Sequence, residues 1–432
     1  MHPSTSIAIL GGGASGLTLA RTLADLGFGN LVVFERGDDV GGKSCTVDID
    51  GLPHDLGATM GVPIDYRPVV RFSDEAGLAT VPFPEETHYS VAHRGPVALN
   101  RWHELPRVFR DAARYVQLHR RLWRPALHRA DRALYAPWAE LVAGHGLEAA
   151  SRRMLCYRTG YGYGFDDEVP AVMYANLVRP QTLLGLAVGD PFMWRTGTQP
   201  IWRALARRIA PRVDVRTRTE VTRIERTPSG VRIASTHGGK LRSEAFDRLV
   251  IACDPSVVLP RLDASAFEQH AFSRIRTYPY STVACEIAGL ASGRESIGYV
   301  DENMTRTRAG HPMAWVKRHA DRDIYIVHLF APDDVSDAEL ARRIAGDVAR
   351  LGGRLVRVHH VKRWRFFPHF DSGFMQAGGL AQLDRWQGRH HTYVIGEVLS
   401  FATLARVTEH AIAFAHRIAD EPARRATARL AS

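Results

Sequence analysis

Apolar positions near the start of the chain follow two different periods. The continuous apolar run Ile7–Leu10 has the length and composition of a buried strand, and the run Leu31–Phe34 has the same character. Between them, apolar residues recur three or four positions apart, as on one face of an α-helix, until Gly27 and Gly29 end the pattern. The residues with this spacing are Leu17, Ala20, Leu23, Ala24 and Leu26. The pattern predicts a β-α-β unit.

The remainder of the chain mixes helical and strand-like patterns. Residues 103–160 lack the period-two alternation of half-buried strands and are predicted to be mainly helical. The later elements, in chain order, are a helix within 195–209, strands within 213–236, a buried strand within 246–255, and a strand followed by a helix within 390–418. We find no internal repeat, and 422–432 is a polar tail.

Three glycines stand where the first predicted strand turns into the first predicted helix. In the spacing Gly11-x-Gly13-x-x-Gly16, the first allows the turn, the second lets a pyrophosphate approach the backbone, and the third lets the helix pack on the strand. Helix N-terminal amides then face the phosphates. Glu35 ends the second strand about 20 residues on, where an acid can bind a ribose hydroxyl. These features favour dinucleotide binding over an ordinary tight turn.

Composition excludes several classes of protein. The 432 residues are 45% hydrophobic and 24% charged, as in a soluble globular protein of two or three domains. No apolar run reaches the ~18 residues of a membrane span, and the N-terminus does not resemble a signal peptide. The four cysteines lie far apart without a CxxC pair, which favours a reducing cytoplasm and argues against a zinc site, so no metal is expected.

The net charge of +10 raises the question of an anionic partner. Only four of the 56 basic residues are lysine, and the arginines are spread along the chain, so we expect no nucleic-acid partner. Residues 107–129 nevertheless predict a basic helical surface with aromatic residues and leucines interleaved. This surface is interpreted as a solvated helix face, with attraction to acidic substrates or weak contact with a membrane surface as the alternative.

The pair Glu35-Arg36, the glycine pair at Gly41 and Gly42, and the segment "HDLGATMGVP" (54–63) together resemble the flavin-dependent amine oxidase superfamily. The resemblance implies non-covalent FAD rather than NAD, since the cysteine that covalent members place after the last Gly-Glu pair is missing from "VLSF". It also implies a set of cofactor contacts. These are Gly11, Gly13, Ala14, Ser15, Gly16, Glu35, Arg36, Gly42, Lys43, Gly57, Ala58, Thr59, Met60, Val221, Gly396 and Glu397.

The same resemblance implies an α/β fold with a discontinuous, glutathione-reductase-type Rossmann FAD-binding domain. That domain is expected to comprise 4–62, 195–255 and 386–421. An inserted α+β substrate domain is expected from 63–194 and 256–385, with a helical cap at about 103–160.

Further motifs narrow the resemblance to the bacterial FAD-dependent polyunsaturated fatty acid double-bond isomerases. They are "TGYGYGFDDEVPA" (159–171), "GDPFMWRTGTQPIW" (189–202), "GYVDENM" (298–304), "FFPHF" (366–370) and "QGRHHTYVIGEVLSF" (387–401). In that branch oxidised FAD takes a hydride from a doubly allylic carbon and returns it at another carbon. The chemistry requires a dry apolar tunnel and no side-chain acid or base.

Aromatic residues in these motifs are candidates for such a tunnel, with ordinary core packing as the alternative for each. The predicted tunnel residues are Tyr161, Tyr163, Phe192, Trp194, Phe367 and Phe401. Isomerases of this type anchor the substrate carboxylate with an arginine, but here Glu85, Glu86 and His88 stand near the expected place and Arg94 is displaced along the chain. Either Arg94 substitutes as the anchor, or the substrate is a tethered, amidated or uncharged chain.

Three functions follow from these observations. The first is FAD-dependent isomerisation of a small hydrophobic substrate, an unsaturated acyl or polyene chain. The second is oxidation or dehydrogenation of an amine or acyl secondary metabolite, which would release hydrogen peroxide or reduce an acceptor. The third is a flavoprotein with structural FAD whose surface binds a partner or a membrane.

Overall fold

The architecture was analysed in a computed structural model of the chain, which describes residues 1–98, 102–187 and 191–421. The predicted polar tail, 422–432, and the first two residues of the motif 189–202 lie outside these ranges.

The strands of the described chain are short at the N-terminus and long in the second half. They are β1 Ile7–Leu10, β2 Leu31–Phe34, β3 Thr46–Ile49, β4 Leu52–Asp55, β5 Met60–Gly61, β6 Thr80–Pro82, β7 Glu85–Ser90, β8 Gly95–Val97, β9 Phe192–Trp194, β10 Val213–Arg216, β11 Thr219–Thr227, β12 Gly230–His237, β13 Lys240–Phe246, β14 Arg248–Ile251, β15 Ile275–Ala288, β16 Ser296–Tyr299, β17 Ala314–Lys317, β18 Ile324–Phe330, β19 Arg354–Phe370 and β20 Thr392–Val394.

The α-helices of the described chain are concentrated in the first half and at the C-terminus. They are α1 Ala14–Asp25, α2 Arg67–Glu75, α3 Leu105–Leu122, α4 Trp138–His145, α5 Glu148–Arg153, α6 Ala171–Leu177, α7 Pro180–Ala187, α8 Gln199–Ile209, α9 Pro255–Val258, α10 Ala266–Ser273, α11 Asp337–Arg350, α12 Ser372–Gln376, α13 Gly379–Trp386 and α14 Leu404–Ala419.

A five-stranded parallel sheet in the order β10-β2-β1-β14-β20 forms the centre of the nucleotide-binding half. Its strands come from three separate stretches of sequence, and β1 lies between β2 and β14 with Ile7 opposite Leu31 and Arg248. Both faces of the sheet are covered, which explains why β1 and β2 are continuous apolar runs. This arrangement confirms the predicted α/β Rossmann fold, while the domain boundaries themselves stay a prediction.

Helices cover one face of the parallel sheet and a small sheet covers the other. Apolar side chains of α1, α8 and α14 share a core with the sheet, and the amphipathic spacing of α1 buries Leu17, Ala20 and Leu23 there. On the opposite face, Ile224 and Ile233 of the antiparallel sheet β11-β12-β13 pack in one cluster with residues of β1, β2 and β14.

The second half of the molecule is built on a seven-stranded sheet in the order β19-β15-β18-β17-β16-β7-β8. Its first pairs are antiparallel and β16 pairs with β7 in parallel. One face packs on α11, which buries Leu340 and Ile344. The other face carries Tyr280 and Tyr299, and residues within 155–165, at the end of the predicted helical cap, complete the cluster.

Candidate active site

A cavity of about 800 Å³ lies where the parallel sheet, the seven-stranded sheet and the cap meet. The carboxyl ends of β1, β2 and β14 open into it, as expected for a ligand site in a parallel α/β sheet. Its lining then continues along β15 and β19 to Met154 and Tyr157 of the cap, and along α6, α7 and α14. One continuous space therefore joins the glycine turn to the substrate half.

The glycine turn between β1 and α1 is built as its spacing requires. Gly11 has φ of +110°, which favours glycine, and a side chain at Gly16 would place its Cβ 2.0 Å from the carbonyl oxygen of Gly11. Gly13, in contrast, has φ of −81° and lines the cavity, and a Cβ there would meet nothing closer than 3.7 Å. The turn thus leaves an open recess beside Gly13 at the N-terminus of α1.

Glu35 reaches this recess from the end of β2. Its two carboxylate oxygens accept hydrogen bonds from the amides of Gly12, at 2.8 Å, and Gly37, at 2.7 Å. Val221, one of the predicted cofactor contacts, also lines the cavity, where the pairing of β11 with β12 shifts register. An acid and a strand bulge therefore stand where an adenosine ribose and base would lie.

The second glycine turn lies against the first, with Gly42 facing Gly13. The side-chain amide of Gln199 donates to the carbonyl of Val40 at 3.0 Å, and its oxygen accepts from the amide of Thr46 at 3.1 Å. Gln199, the first residue of α8, therefore holds this loop in place.

Lys43, which follows the second glycine turn, forms an ion pair with Glu397 across the cavity wall. Gly57 packs behind Lys43, since a Cβ at Gly57 would lie 1.8 Å from the Lys43 carbonyl oxygen. The amide of Ala58 donates to that oxygen at 3.0 Å. The predicted contacts of the segment 57–60 and of Glu397 are thus brought together around Lys43.

The residues present fit FAD. Gly13 leaves a cradle that a Cβ would fill, and the buried Ser15 hydroxyl has no hydrogen-bond partner, so a phosphate can accept from it. Of the sixteen predicted cofactor residues, fourteen line the cavity; Gly16 and Gly396 stand behind it as the backbone that shapes the turns. Non-covalent FAD would therefore lie from Val221, past Gly13, to the segment 57–60.

Aromatic side chains line the cavity beyond Lys43. The Lys43 ammonium lies 5.4 Å from the Phe366 ring centroid, and that ring packs against Tyr163 at 5.5 Å and Tyr280 at 5.0 Å. Tyr161 and Tyr157 continue the lining toward the cap. We call these five residues, Tyr157, Tyr161, Tyr163, Tyr280 and Phe366, the aromatic wall.

Four predicted tunnel residues do not line the cavity, which corrects the expectation for them. The ring centroids of Phe192 and Trp194 lie 4.9 Å apart, in the core that the parallel sheet shares with α1, α8 and α14. Phe192 fills the space beside Gly61. Phe367 and Phe401 are fully buried one layer behind Tyr163, with ring centroids 5.5 and 4.7 Å from it. The core alternative is the correct interpretation of these four.

Arg94 lies in the exposed turn between β7 and β8 and has a left-handed backbone conformation, φ +58°. It does not line the cavity. The structure thus corrects the expectation that Arg94 anchors a substrate. Glu86 instead reaches the aromatic wall from the surface: both of its carboxylate oxygens lie 2.7 Å from the Tyr157 hydroxyl.

The Glu86 carboxylate organises two more hydroxyls. Tyr299 donates to it at 3.0 Å, and Tyr161 lies 3.1 Å from the Tyr299 hydroxyl. Burial raises the pKa of Tyr161 above its ordinary range, so its hydroxyl stays protonated. The hydroxyls of Tyr157 and Tyr161 are therefore hydrogen-bonded to Glu86 and Tyr299, respectively.

Two polar pairs on the cavity wall had no signal in the sequence, because their members are far apart along the chain. Asp65 and Arg406 form an ion pair at 2.6 Å, and both are almost fully buried. His328 accepts or donates a 2.8 Å hydrogen bond with Tyr280, and burial lowers its pKa to about 4. His328 is the only histidine of the described cavity lining, and its imidazole is neutral.

A buried ion pair joins the two halves of the molecule next to the site. The Arg318 guanidinium donates to Asp55 at 2.6 Å, and Asp55 also accepts from Thr46 and from the amide of Thr198. Thr198 in turn donates its hydroxyl to the carbonyl of Ala58 at 2.8 Å. The pair therefore supports the segment that faces the cofactor region.

Within the described ranges, no group of three or more histidine, cysteine or acidic side chains is arranged to hold a metal ion. Over the same residues, no helix combines the length and apolar character needed to cross a bilayer.

The whole chain resembles proteins of known structure. The structure superimposes on that of a CLA-producing fatty acid isomerase from P. acnes with a TM-score of 0.88 and 26% identity, covering 96% of this chain and 99% of that one. A putrescine oxidase structure with bound putrescine matches at a TM-score of 0.76 and 16% identity over 96% of this chain and 99% of its own, which shows a shared fold.

Curated relatives match over a shorter span. A polyenoic fatty acid isomerase of Ptilota filicina is 23% identical over 57% of this chain and 55% of its own length. A Mycobacterium tuberculosis protein, whose name describes a flavin-containing monoamine oxidase, is 26% identical over 54% of each chain. The chain thus spans about half the length of these relatives. The model of the flavin-containing amine oxidoreductase family matches residues 14–419, so this chain, an FAD-dependent enzyme, belongs to that family.

Proposed function

We propose that the enzyme isomerises a double bond in an unsaturated acyl or polyene chain by removing a hydride from an allylic carbon and returning it to another carbon. The observation that carries the proposal is the superposition on a fatty acid isomerase over nearly the entire length of both chains. The putrescine oxidase structure covers the same 96% of the chain but superimposes less closely, with a TM-score of 0.76 against 0.88. The polyenoic fatty acid isomerase relative supports the same assignment.

FAD, when bound, supplies the hydride acceptor and donor. The chain's own residues then have to order a flexible substrate and keep water from it. Met154, Leu177, Val178 and Leu186 also line the cavity and present apolar surface in addition to the aromatic wall. A cavity with this lining suits a hydrocarbon chain lying along it.

Acid–base chemistry is poorly supported by the same lining. His328 is neutral at physiological pH, because its pKa is lowered to about 4, and its Nδ1 is already bonded to Tyr280. The buried charges Asp65 and Arg406 neutralise each other. The side chains of this wall therefore position the substrate, and the bond-breaking step is assigned to the cofactor.

Charge at the outer end of the aromatic wall favours a substrate that is not a free carboxylate there. Glu86 places a carboxylate against Tyr157 and Tyr299, so an anionic group at this end would be repelled. Arg94 lies elsewhere on the surface. We assign an amide, ester or otherwise uncharged acyl end to this part of the cavity.

A second candidate is oxidation of an amine with release of hydrogen peroxide. It is favoured by the monoamine oxidase match and by the same Glu86 carboxylate, which could pair with an ammonium group. An isomerase returns its hydride and forms product without peroxide, whereas an oxidase consumes oxygen in proportion to product.

The test is incubation of the purified flavoprotein with a panel of unsaturated fatty acids, their amides and esters, and amines. Anaerobic bleaching and recovery of the flavin absorbance identify the substrate, and an aerobic peroxide assay separates the two reactions. The proposal predicts product from an unsaturated chain with no stoichiometric peroxide. Peroxide equal to product, with amines as the bleaching compounds, would establish the oxidase instead.

A matched pair of variants locates the reaction in the cavity. Leu177→Asn places a polar group on the lining, whereas Leu184→Asn changes an exposed leucine on the neighbouring helix α7. We expect the first to reduce turnover at least tenfold with normal FAD content and the second to leave turnover unchanged. Equal turnover in both variants would remove this cavity from consideration as the substrate site.

A further inference from the structure

The outer face of α3 combines exposed aromatic and basic side chains. Trp102, in the turn that precedes α3, is 79% exposed and Phe109 is 70% exposed, the two largest values among the large hydrophobic residues of the described chain. We define the cap face as Trp102, Pro106, Phe109, Arg110, Ala113, Gln117, Arg120, Arg121 and Arg124, all of which are exposed.

Helical spacing puts the cap-face residues between Pro106 and Arg121 on one side of α3, with Trp102 just before the helix and Arg124 just after it. Along α3 the exposed positions recur three or four residues apart, while Asp111, Tyr115, Leu118, His119 and Leu122 form the buried side. The cap face contains four arginines and no carboxylate. Arg110 is partly neutralised by Asp111 beside it, but no carboxylate of the described chain pairs with Arg120 or Arg121. The face is thus apolar at its N-terminal end and cationic along its length.

From this arrangement we propose that the cap face docks on the surface of a membrane that contains anionic phospholipid. A helix that lies in the membrane interface carries basic residues for the headgroups and aromatic residues that enter the acyl boundary. Trp102 and Phe109 supply the apolar contacts, and Arg110, Arg120 and Arg121 supply the charges. Each basic residue near an anionic surface contributes to binding through charge attraction, which salt screens.

A second copy of the chain fits this face less well. A two-fold symmetric contact would bring the arginines of one cap face against those of the other, with no carboxylate on either face to pair with them. A phospholipid surface meets both requirements, since its anionic headgroups pair with the arginines and its acyl boundary accepts the aromatic side chains.

The cap face also lies on the helical layer that forms the cavity. On the buried side of α3, the Tyr115 hydroxyl donates to the carbonyl of Val178 at 2.7 Å, and His119 bonds the carbonyl of Ala175 at 3.0 Å. Val178 lines the cavity. A membrane bound at the cap face would therefore lie against the layer that encloses the proposed acyl site, although the docking proposal stands whether or not that function is correct.

The test is flotation of the full-length FAD-bound enzyme with vesicles of phosphatidylcholine alone and of phosphatidylcholine with phosphatidylglycerol, at about 0.1 M salt, where the screening length is about 10 Å. The proposal predicts binding to the anionic vesicles and little to the neutral ones. Phe109→Ser should weaken binding at least tenfold, and the pair Arg120→Gln and Arg121→Gln by more than tenfold, since each charge is worth about a fivefold change.

The control variants carry the same chemistry on a remote strand. Leu241→Ser and Arg242→Gln change an exposed leucine and an exposed arginine of β13 and should leave vesicle binding unchanged. All variants should keep normal FAD content and unfolding temperature. Equal binding of wild type and cap-face variants would overturn the proposal. Loss of a dimer in size exclusion on Phe109→Ser, without vesicle binding by wild type, would assign the face to a second copy.

Discussion

Gly13→Ala separates binding of the cofactor from folding of the turn. Gly13 has an ordinary φ of −81°, and a Cβ there would lie 3.7 Å from the Cα of Gly42, a normal van der Waals contact. The methyl group would project into the recess that is predicted to hold the FAD pyrophosphate. The comparison variant is Gly16→Ala, whose Cβ would lie 2.0 Å from the carbonyl oxygen of Gly11.

We expect Gly13→Ala to lose FAD affinity alone, and Gly16→Ala to lose both FAD affinity and stability. At a compatible φ, replacing glycine by alanine stabilises the folded chain by about 0.4–1 kcal/mol, since the unfolded state loses freedom. The apoprotein of Gly13→Ala should thus unfold at the same or a higher denaturant concentration than wild type. Its FAD affinity should fall roughly a hundredfold, about 2.8 kcal/mol, because the methyl group prevents close approach of the pyrophosphate to the backbone. Gly16→Ala should lose both stability and FAD.

The measurements are urea unfolding of the apoproteins and fluorescence titration of each with FAD. Gly29→Ala is the control, since Gly29 has an ordinary φ and no atom within 4 Å of a Cβ added there. Wild-type FAD affinity in Gly13→Ala would refute the placement of the pyrophosphate on this turn. A large loss of apoprotein stability in the same variant would refute the claim that the recess is empty space.

Three further changes probe other parts of the site. Asp55→Asn should lower the free energy of unfolding by about 3–5 kcal/mol, because it leaves the buried Arg318 uncompensated; urea unfolding measures this, and adding Arg318→Met should recover part of the loss. The free energy of unfolding should fall as the pH drops from about 6.5 to about 4, because His328 takes up a proton in the unfolded chain but not in its buried, folded position. Urea unfolding at several pH values measures this dependence. In His328→Asn the free energy of unfolding should change less with pH, by up to about 1.4 kcal/mol per pH unit. Glu35→Gln should weaken FAD binding about tenfold in the same titration, since a charge-assisted hydrogen bond is lost, and unchanged affinity would move the ribose contact elsewhere.

The nucleotide-binding half could be predicted because its signals are local. The strands β1 and β2 were bounded correctly from apolar runs, and the glycines of the first turn act within a few residues of one another. The return of the chain through β14 and β20 was predicted from the order of motifs, which the resemblance supplied.

The aromatic tunnel could not be predicted as well, because a sequence does not show which side of a strand faces a cavity. In β9 alternate residues point to opposite sides, so Phe192 and Trp194 share the core side while Met193 packs with the Tyr280 cluster. Phe401 is separated from the cavity only by Tyr163. Whether a side chain lines the cavity or lies one layer behind the lining depends on tertiary packing, and no periodicity in either segment predicts it.

The buried charges on the cavity wall are paired through contacts between distant segments of the chain. This pairing determines which charged groups a ligand can contact. Burying a lone charge is costly, so a buried charged side chain needs a partner. The buried charged residues of the described lining, Asp65 and Arg406, are 341 positions apart in sequence and neutralise each other at 2.6 Å. Glu86 is engaged with tyrosine hydroxyls. Apart from the basic side chains Lys362, Arg363 and Arg365 of β19, the surface that this wall presents to a ligand is mainly aromatic and aliphatic, which suits the uncharged part of a hydrocarbon chain.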